Sequence, residues 1–271
     1  MCTAIISVGP GPTVLLAGVR DEFLARPWEP PGRHWPQYPD LVGGQDLIAG
    51  GTWLAVAPAA RRFACVLNGR GPLAPPDARQ SRGVLPLVGA AKGKLAPGPL
   101  AAFDPFHLLI AEPGRVSLTS WDGVALTERT LAPGGAEFGR PPGGLYVVVN
   151  SGLADDLLAP GQPGPADAAP GRDRELARLD WLVPRLRTAS RPHPEPGGGT
   201  AAAWGEWLPL LAGGGLDPGD PRALLVRHDF GDGRVWGTTS VSLVALTPRG
   251  LRYDFSACPG DPDAWDPVPL V

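Results

Sequence analysis

Met1-Cys2-Thr3-Ala4-Ile5-Ile6-Ser7-Val8 opens the chain, placing a thiol directly behind the initiator and at the head of a β-branched run. Residues 3–8 are apolar and strand-forming, and residues 13–19 repeat that character after Gly9-Pro10-Gly11-Pro12, so the two runs read as a hairpin. Cysteine is small enough for the initiator to be removed, which leaves Cys2 with a free α-amine beside its own thiol. An α-amine titrates near ~7.7–8.0, so it can act as the base for the adjacent nucleophile. The plain alternative is a small buried residue on an edge strand. The segments downstream weigh on that choice.

Residues 24–50 read as irregular, with Trp28, Trp35 and a run of prolines. A second hairpin follows, Gly50–Val56 against Phe63–Leu67, turning at Pro58–Arg62. Residues 69–104 read as loop plus a short helix around Gly83–Ala91. His107–Glu112, Arg115–Ser120 and Ala125–Thr130 give a meander, and Leu145–Val149 is a further strand ending at Asn150. A Pro/Gly/Ala/Asp stretch at 159–171 is expected to be a mobile excursion. Two helices are expected next, Arg174–Leu186 and Ala201–Leu211. In the first, Leu176, Leu179, Leu182 and Val183 form an apolar stripe at helical spacing. Strands resume at Ala223–Arg227, Arg234–Leu246 and Leu251–Phe255, and an irregular tail fills about 257–271. Strands, then helices, then strands suit a layered α+β fold better than alternating βαβ units. Residues 1–271 are read as one domain.

Composition excludes several classes. A formal charge of −3 and the lack of a long basic run argue against a nucleic-acid or anionic-membrane binder. No apolar run reaches the roughly 20 residues of a membrane span, so no stable membrane insertion and a cytoplasmic location are expected. Cys2, Cys65 and Cys258 show no paired spacing, and His34, His107, His193 and His228 show no metal spacing, so no metal site is expected. The 38 Gly and 35 Pro hint at disorder, but nine Trp and 43% hydrophobic residues make a globular fold with Pro/Gly-rich loops the better reading. Of 24 basic Lys and Arg residues only Lys92 and Lys94 are lysine, and only Asn68 and Asn150 are asparagine. Such skew is that of a GC-rich coding sequence, and asparagines that survive it draw attention as functional residues.

Four blocks together resemble the NRDE family, also called the transport and Golgi organisation protein 2 family. They are Met1-Cys2-Thr3; Gly18-Val19-Arg20-Asp21-Glu22-Phe23 with Arg26-Pro27; Gly43-Gly44-Gln45-Asp46 with Gly50-Gly51-Thr52-Trp53-Leu54; and Ala64-Cys65-Val66-Leu67-Asn68. Phe106–Ala111 and Leu145–Ser151 fall where that family has related segments. Two departures stand out. Val19 replaces the leading Asn of the name-giving motif, and Gly237-Thr238-Thr239 stands where the family shows Gly-Thr-Arg.

The resemblance implies a four-layer αββα sandwich like that of the N-terminal nucleophile (Ntn) hydrolases, two antiparallel sheets with outer helices. It also implies handling of a small molecule, haem or an acyl lipid, with no cofactor required and haem possible as ligand. Related Ntn acylases, which also begin Met-Cys-Thr, make a cysteine amidohydrolase acting on a linear amide the alternative. In that chemistry Cys2 is the nucleophile and Arg20 holds the thiolate and depresses its pKa. Asp21 orients the amine and Arg20, while Asn68 and Asn150 donate to an oxyanion. Glu22, Asp46 and Trp53 are candidate ligand-binding residues. Asp46 most simply braces the Gly50-Gly51 turn, and Trp53 packs into the core or lines the pocket mouth. Outside such a site, Arg20-Asp21-Glu22 is a solvated charge cluster of little energetic weight. If Thr239 stands in place of a late Arg, a cation is missing there, and Arg227 or Arg234 is the candidate substitute.

Weaker signals remain. Cys258-Pro259 has the form of a haem-responsive pair but reads as a turn. His107 reads as a satisfied interior residue, Trp204 and Trp207 as the buried face of one helix, and Glu175–Arg178 as a surface pair.

Overall fold

The computed structural model describes residues 2–9, 11–95, 98–131, 144–159, 171–195 and 197–270. The first hairpin forms as the alternation of small loops and β-branched runs dictates: β1 (Thr3–Val8) pairs antiparallel with β2 (Val14–Phe23). Next come β3 (Trp28–Gly32), β4 (Val42–Asp46), β5 (Leu54–Ala57) and β6 (Arg62–Asn68), then α1 (Val84–Lys92). The meander is β7 (Phe106–Glu112), β8 (Arg115–Trp121) and β9 (Leu126–Leu131), followed by β10 (Gly144–Val149), β11 (Gly152–Leu153) and α2 (Ala154–Leu157). The helical stretch is α3 (Arg172–Thr188), α4 (Thr200–Trp204) and α5 (Trp207–Leu211). The chain then returns to sheet with β12 (Arg227–Asp229), β13 (Val235–Thr247), β14 (Gly250–Ser256) and β15 (Asp266–Pro267).

These strands make two antiparallel sheets. One has the order β11-β10-β1-β2-β13-β14-β15, with β12 paired to β13; the other is the meander β3-β4-β5-β6-β7-β8-β9. Side-chain parity sets the layers, because successive residues of a strand point to opposite faces. On β2, Val14 and Leu16 face the second sheet and pack with Val56, Phe63, Cys65 and Leu109. Leu15, Ala17 and Val19 face the other way, onto Leu179, Leu182, Leu186, Trp204 and Trp207 of α3, α4 and α5. The second sheet turns Ala55, Ala64, Leu108 and Ile110 outward onto Leu85, Leu87 and Ala90 of α1. Helix, sheet, sheet and helix therefore stack as the four expected layers. Among the described residues no helix is long and apolar enough to cross a membrane.

Several local expectations are corrected. Residues 24–50 contain β3 and β4 rather than irregular chain alone. Pro30 and Pro31 hid β3, which tolerates them because it is the edge strand and carries a register shift between Glu29 and Gly32. The single helix expected at Ala201–Leu211 is two, broken at Gly205, whose φ of 47° stops α4. Trp204 and Trp207 are both buried, but on separate helices. Ala223–Leu225 is not a strand: the run is buried beneath the helices, and strand pairing begins only at Arg227. The tail holds the short strand β15 against β14. Residues 160–170, most of the expected excursion, lie outside the described residues.

Candidate functional site

The two sheets part at one end, and there a cleft of about 500 Å³ is lined by Cys2, Arg20, Asp21, Glu22, Asp46, Trp53 and Asn68. Asn150, which ends β10, joins them through its Oδ1, which accepts a hydrogen bond from the Cys2 backbone N–H at 3.2 Å. Cys2, Arg20, Asp21, Glu22, Asp46, Trp53, Asn68 and Asn150, the candidate residues of the sequence, thus reach one end of the sandwich. β1 lies between β10 and β2, so Cys2 has Asn150 on one side and Arg20-Asp21 on the other.

Parity divides the work of consecutive residues on β2. Arg20 points between the sheets, where its guanidinium lies 4.4 Å from the centroid of the Trp53 ring and donates to Thr239 Oγ1 at 2.8 Å. Gly44 leaves room for that ring, because a Cβ there would collide with it. Asp21 offers its backbone carbonyl to the Cys2 thiol at 3.8 Å, but its carboxylate turns toward the helices. There Oδ1 accepts from Thr238 Oγ1 at 2.7 Å and Oδ2 lies 3.8 Å from Arg178. Arg178 also donates to Thr3 Oγ1 at 3.0 Å and to the Ala223 carbonyl at 2.9 Å. A register shift between Thr238 and Ser240 lets Thr238 serve Asp21 while Thr239 serves Arg20.

Thr239 is therefore no vacancy: it is buried, and its hydroxyl positions Arg20. The expected substitutes do not fill any gap, since Arg234 is exposed and pairs with Asp232, and Arg227 is exposed on β12. Glu175 and Arg178 are not a surface pair. Both are buried, Glu175 meeting Arg70 at 2.9 Å while Arg178 reaches Asp21. His107 is an interior residue, with Nδ1 2.8 Å from Ser120 Oγ and Nε2 3.2 Å from the Asn150 carbonyl.

Burial sets the electrostatics. It pushes the Cys2 thiol above its ordinary value, and neighbouring Arg20 works against that without reversing it. The expected depressed thiol is thus corrected: desolvation outweighs the cation. Burial also raises the Asp21 carboxyl, against the pull of Arg178 and Thr238, and lowers the Arg20 guanidinium. Asp46 accepts from the backbone N–H of Ile48 and Ala49, each at 3.0 Å, bracing the turn as expected, and takes a two-pronged bond from Arg26 at 2.7 and 3.1 Å. Burial raises its carboxyl, but Arg26 and the turn amides win and hold it below the usual range.

The structure adds cleft residues that the sequence reading passed over: Arg26, and Arg79, Arg82 and Asp104 from loops near α1. Arg26 sits in the Arg-Pro block that carried the resemblance; the loop arginines left no motif. Residues 1–96 match the family model described as Transport and Golgi organisation 2. That stretch holds the four blocks, so the resemblance is borne out there; Asn150 and Thr239 lie beyond it. No curated protein matches the chain. Among solved structures, penicillin V acylase from Agrobacterium tumefaciens is similar over 95% of this chain and 83% of its own, at 13% identity and a TM-score of 0.48.

Proposed function

We propose that the chain is an N-terminal-cysteine amidohydrolase acting on a small amide. The observation that carries this reading is the contact between the Cys2 backbone nitrogen and Asn150 Oδ1 at the floor of the cleft. Once Met1 is removed that nitrogen is the α-amine, already hydrogen-bonded and adjacent to the thiol. A half-buried thiol needs a base at hand to become a thiolate, and the amine supplies one. In the reaction the thiol proton passes to the amine as sulfur attacks the carbonyl carbon. Asn68, on the cleft wall, and the Asn150 carboxamide nitrogen are the donors for the developing oxyanion. The amine then returns the proton to the departing nitrogen, the C–N bond breaks, and water cleaves the thioester to release the acid and restore the thiol.

The space beneath Cys2 limits the acyl group. It is lined by Ala4, Leu16, Leu54 and Leu67 and holds only about 30 Å³, too little for a long acyl chain. The cleft above is walled largely by charged side chains, which suits a compact polar substrate better than an acyl lipid. Haem carriage is the second reading, favoured by a thiol on the cleft floor with arginines above it.

Two measurements test the proposal. Intact mass is expected to show Met1 removed, and a small-amide panel is expected to be hydrolysed with a Cys2 acyl adduct that Cys2→Ala abolishes. Retained Met1 refutes the amidohydrolase. Haem carriage then predicts a Soret band on haemin titration that Cys2→Ala shifts.

A further inference from the structure

The arginines of the cleft are not equally satisfied. Arg26 is held by the two-pronged bond to Asp46, and Arg79 meets Asp104 at 3.1 Å. Arg82 differs: among the described residues its guanidinium makes a hydrogen bond to the Pro105 carbonyl at 2.8 Å and no ion pair within 4.0 Å. Arg20, the nearest cleft cation to the thiol's strand, has Glu22 only at 4.0 Å. Arg82 is half-buried, and burial lowers its pKa, so the charge is held where water solvates it poorly.

The backbone around Arg82 is fixed. Gly83 and Gly51 touch so closely that a Cβ on Gly51 would lie 2.5 Å from the Gly83 carbonyl carbon, and Thr52 N–H donates to the Gly83 carbonyl at 3.0 Å. On the other side Gln80 N–H donates to the Ala102 carbonyl at 2.7 Å. The loop is thereby fastened both to the turn before Trp53 and to the segment before β7. A fixed, partly desolvated guanidinium with donors left over is a carboxylate receptor, because the planar fork matches two carboxylate oxygens and little ordering remains to be done on binding.

We infer that the cleft takes an anionic substrate, an amide bearing a carboxylate that Arg82 grips while the carbonyl lies over Cys2. This rests on reading the cleft as the substrate site, and it adds the substrate's charge. The geometry also gives selectivity, since a neutral analogue adds no charge of its own to the half-buried cation, whose neighbouring Asp104 and Glu22 carboxylates stay beyond ion-pair distance.

Protection of Cys2 tests it without requiring turnover. Alkylation of Cys2 by iodoacetamide is followed by peptide mass spectrometry at constant ionic strength, with succinate, glutarate or adipate added, or their neutral diamides. At least one dicarboxylate is expected to slow alkylation where its diamide does not, with weaker protection at high salt. Each variant is normalised to its own unprotected rate. Arg82→Gln is expected to raise the half-protecting concentration roughly tenfold or more, as loss of a charge-assisted pair does, and Arg82→Lys is expected to fall between. Equal protection by acids and diamides overturns the inference, as does undiminished protection in both variants. Should Arg82→Gln misfold, Arg82→Lys with wild-type protection overturns it alone. Retained Met1 with protection intact overturns the amidohydrolase and leaves the anion site standing.

Discussion

Thr238→Val changes shape little but removes an oxygen that makes two bonds. In the native chain Thr238 Oγ1 donates to Asp21 Oδ1 at 2.7 Å and accepts the Val226 N–H at 2.9 Å. A hydrogen bond to a charged group contributes about 1.5–3 kcal/mol, and leaving the Val226 donor unsatisfied adds about 1 kcal/mol or more. The expected loss with Asp21 ionised is therefore about 2–4 kcal/mol, or roughly 4–8 °C in Tm for a domain of this size. The pH dependence is the sharper part. Burial raises the folded-state pKa of Asp21, so its ionised form penalises folding above that pKa, and the penalty fades as pH falls through it. The Thr238 bond offsets part of the penalty. Its loss should open a gap between variant and wild type that is widest above the folded pKa and narrows on acidification. Urea unfolding of both proteins, followed by Trp fluorescence across that range, measures the gap directly. A gap that is constant or grows toward acid, or a loss below about 0.5 kcal/mol at the alkaline end of the range, refutes the assigned role of this hydroxyl.

Iodoacetamide should label exposed Cys258 first, Cys2 next and Cys65 last, because burial pushes the Cys65 thiol up to about 12; peptide mass spectrometry under native conditions checks the order. Gly51→Ala should cost about 1–3 kcal/mol as its Cβ forces the Gly83 backbone away, measured by urea midpoint, and should also weaken dicarboxylate protection of Cys2. Asp46→Asn keeps an oxygen for the Ile48 and Ala49 amides and should cost about 1 kcal/mol, against about 2 kcal/mol for Asp46→Ala. Asp46 has a lowered folded pKa, so the stability it contributes is present above the unfolded value of about 3.9 and is lost as pH falls through the folded one; Asp46→Asn should flatten that acid limb.

The elements that period and turn chemistry mark clearly were legible: the β1–β2 and β5–β6 hairpins, the β7–β9 meander and the apolar stripe of α3 at Leu179, Leu182 and Val183, though Leu176 stays half-buried outside the core. The convergence of the candidate residues was legible because strand ends gather at one end of a sandwich, so Cys2, Arg20, Asn68 and Asn150 come together although far apart in sequence. What escaped depends on contacts that no local pattern encodes. Arg79 and Arg82 sit in a loop whose path is set by tertiary bonds at Gln80 and Gly83. Glu175 and Arg178 read as solvated because charge outweighed position, yet they continue the Leu179, Leu182 and Leu186 stripe by one turn, and that periodicity places them inside. The direction of the Cys2 shift does not follow from the sequence, in which the neighbouring cation is visible and the burial is not.

Arg20 and Asp21 share one peptide bond yet belong to different compartments. The first lies over Trp53 on the cleft side, and the second meets Arg178 on the helix side. The sheet is thus a partition with a rivet through it, headed on one side by Thr239 and on the other by Thr238. Because the two heads cannot loosen independently, α3 and the rim of the cleft should open as one unit. In native-state hydrogen exchange, the amides of α3 and those of β2 beside Cys2 would then report a common opening free energy, lowered together by a substitution in either compartment.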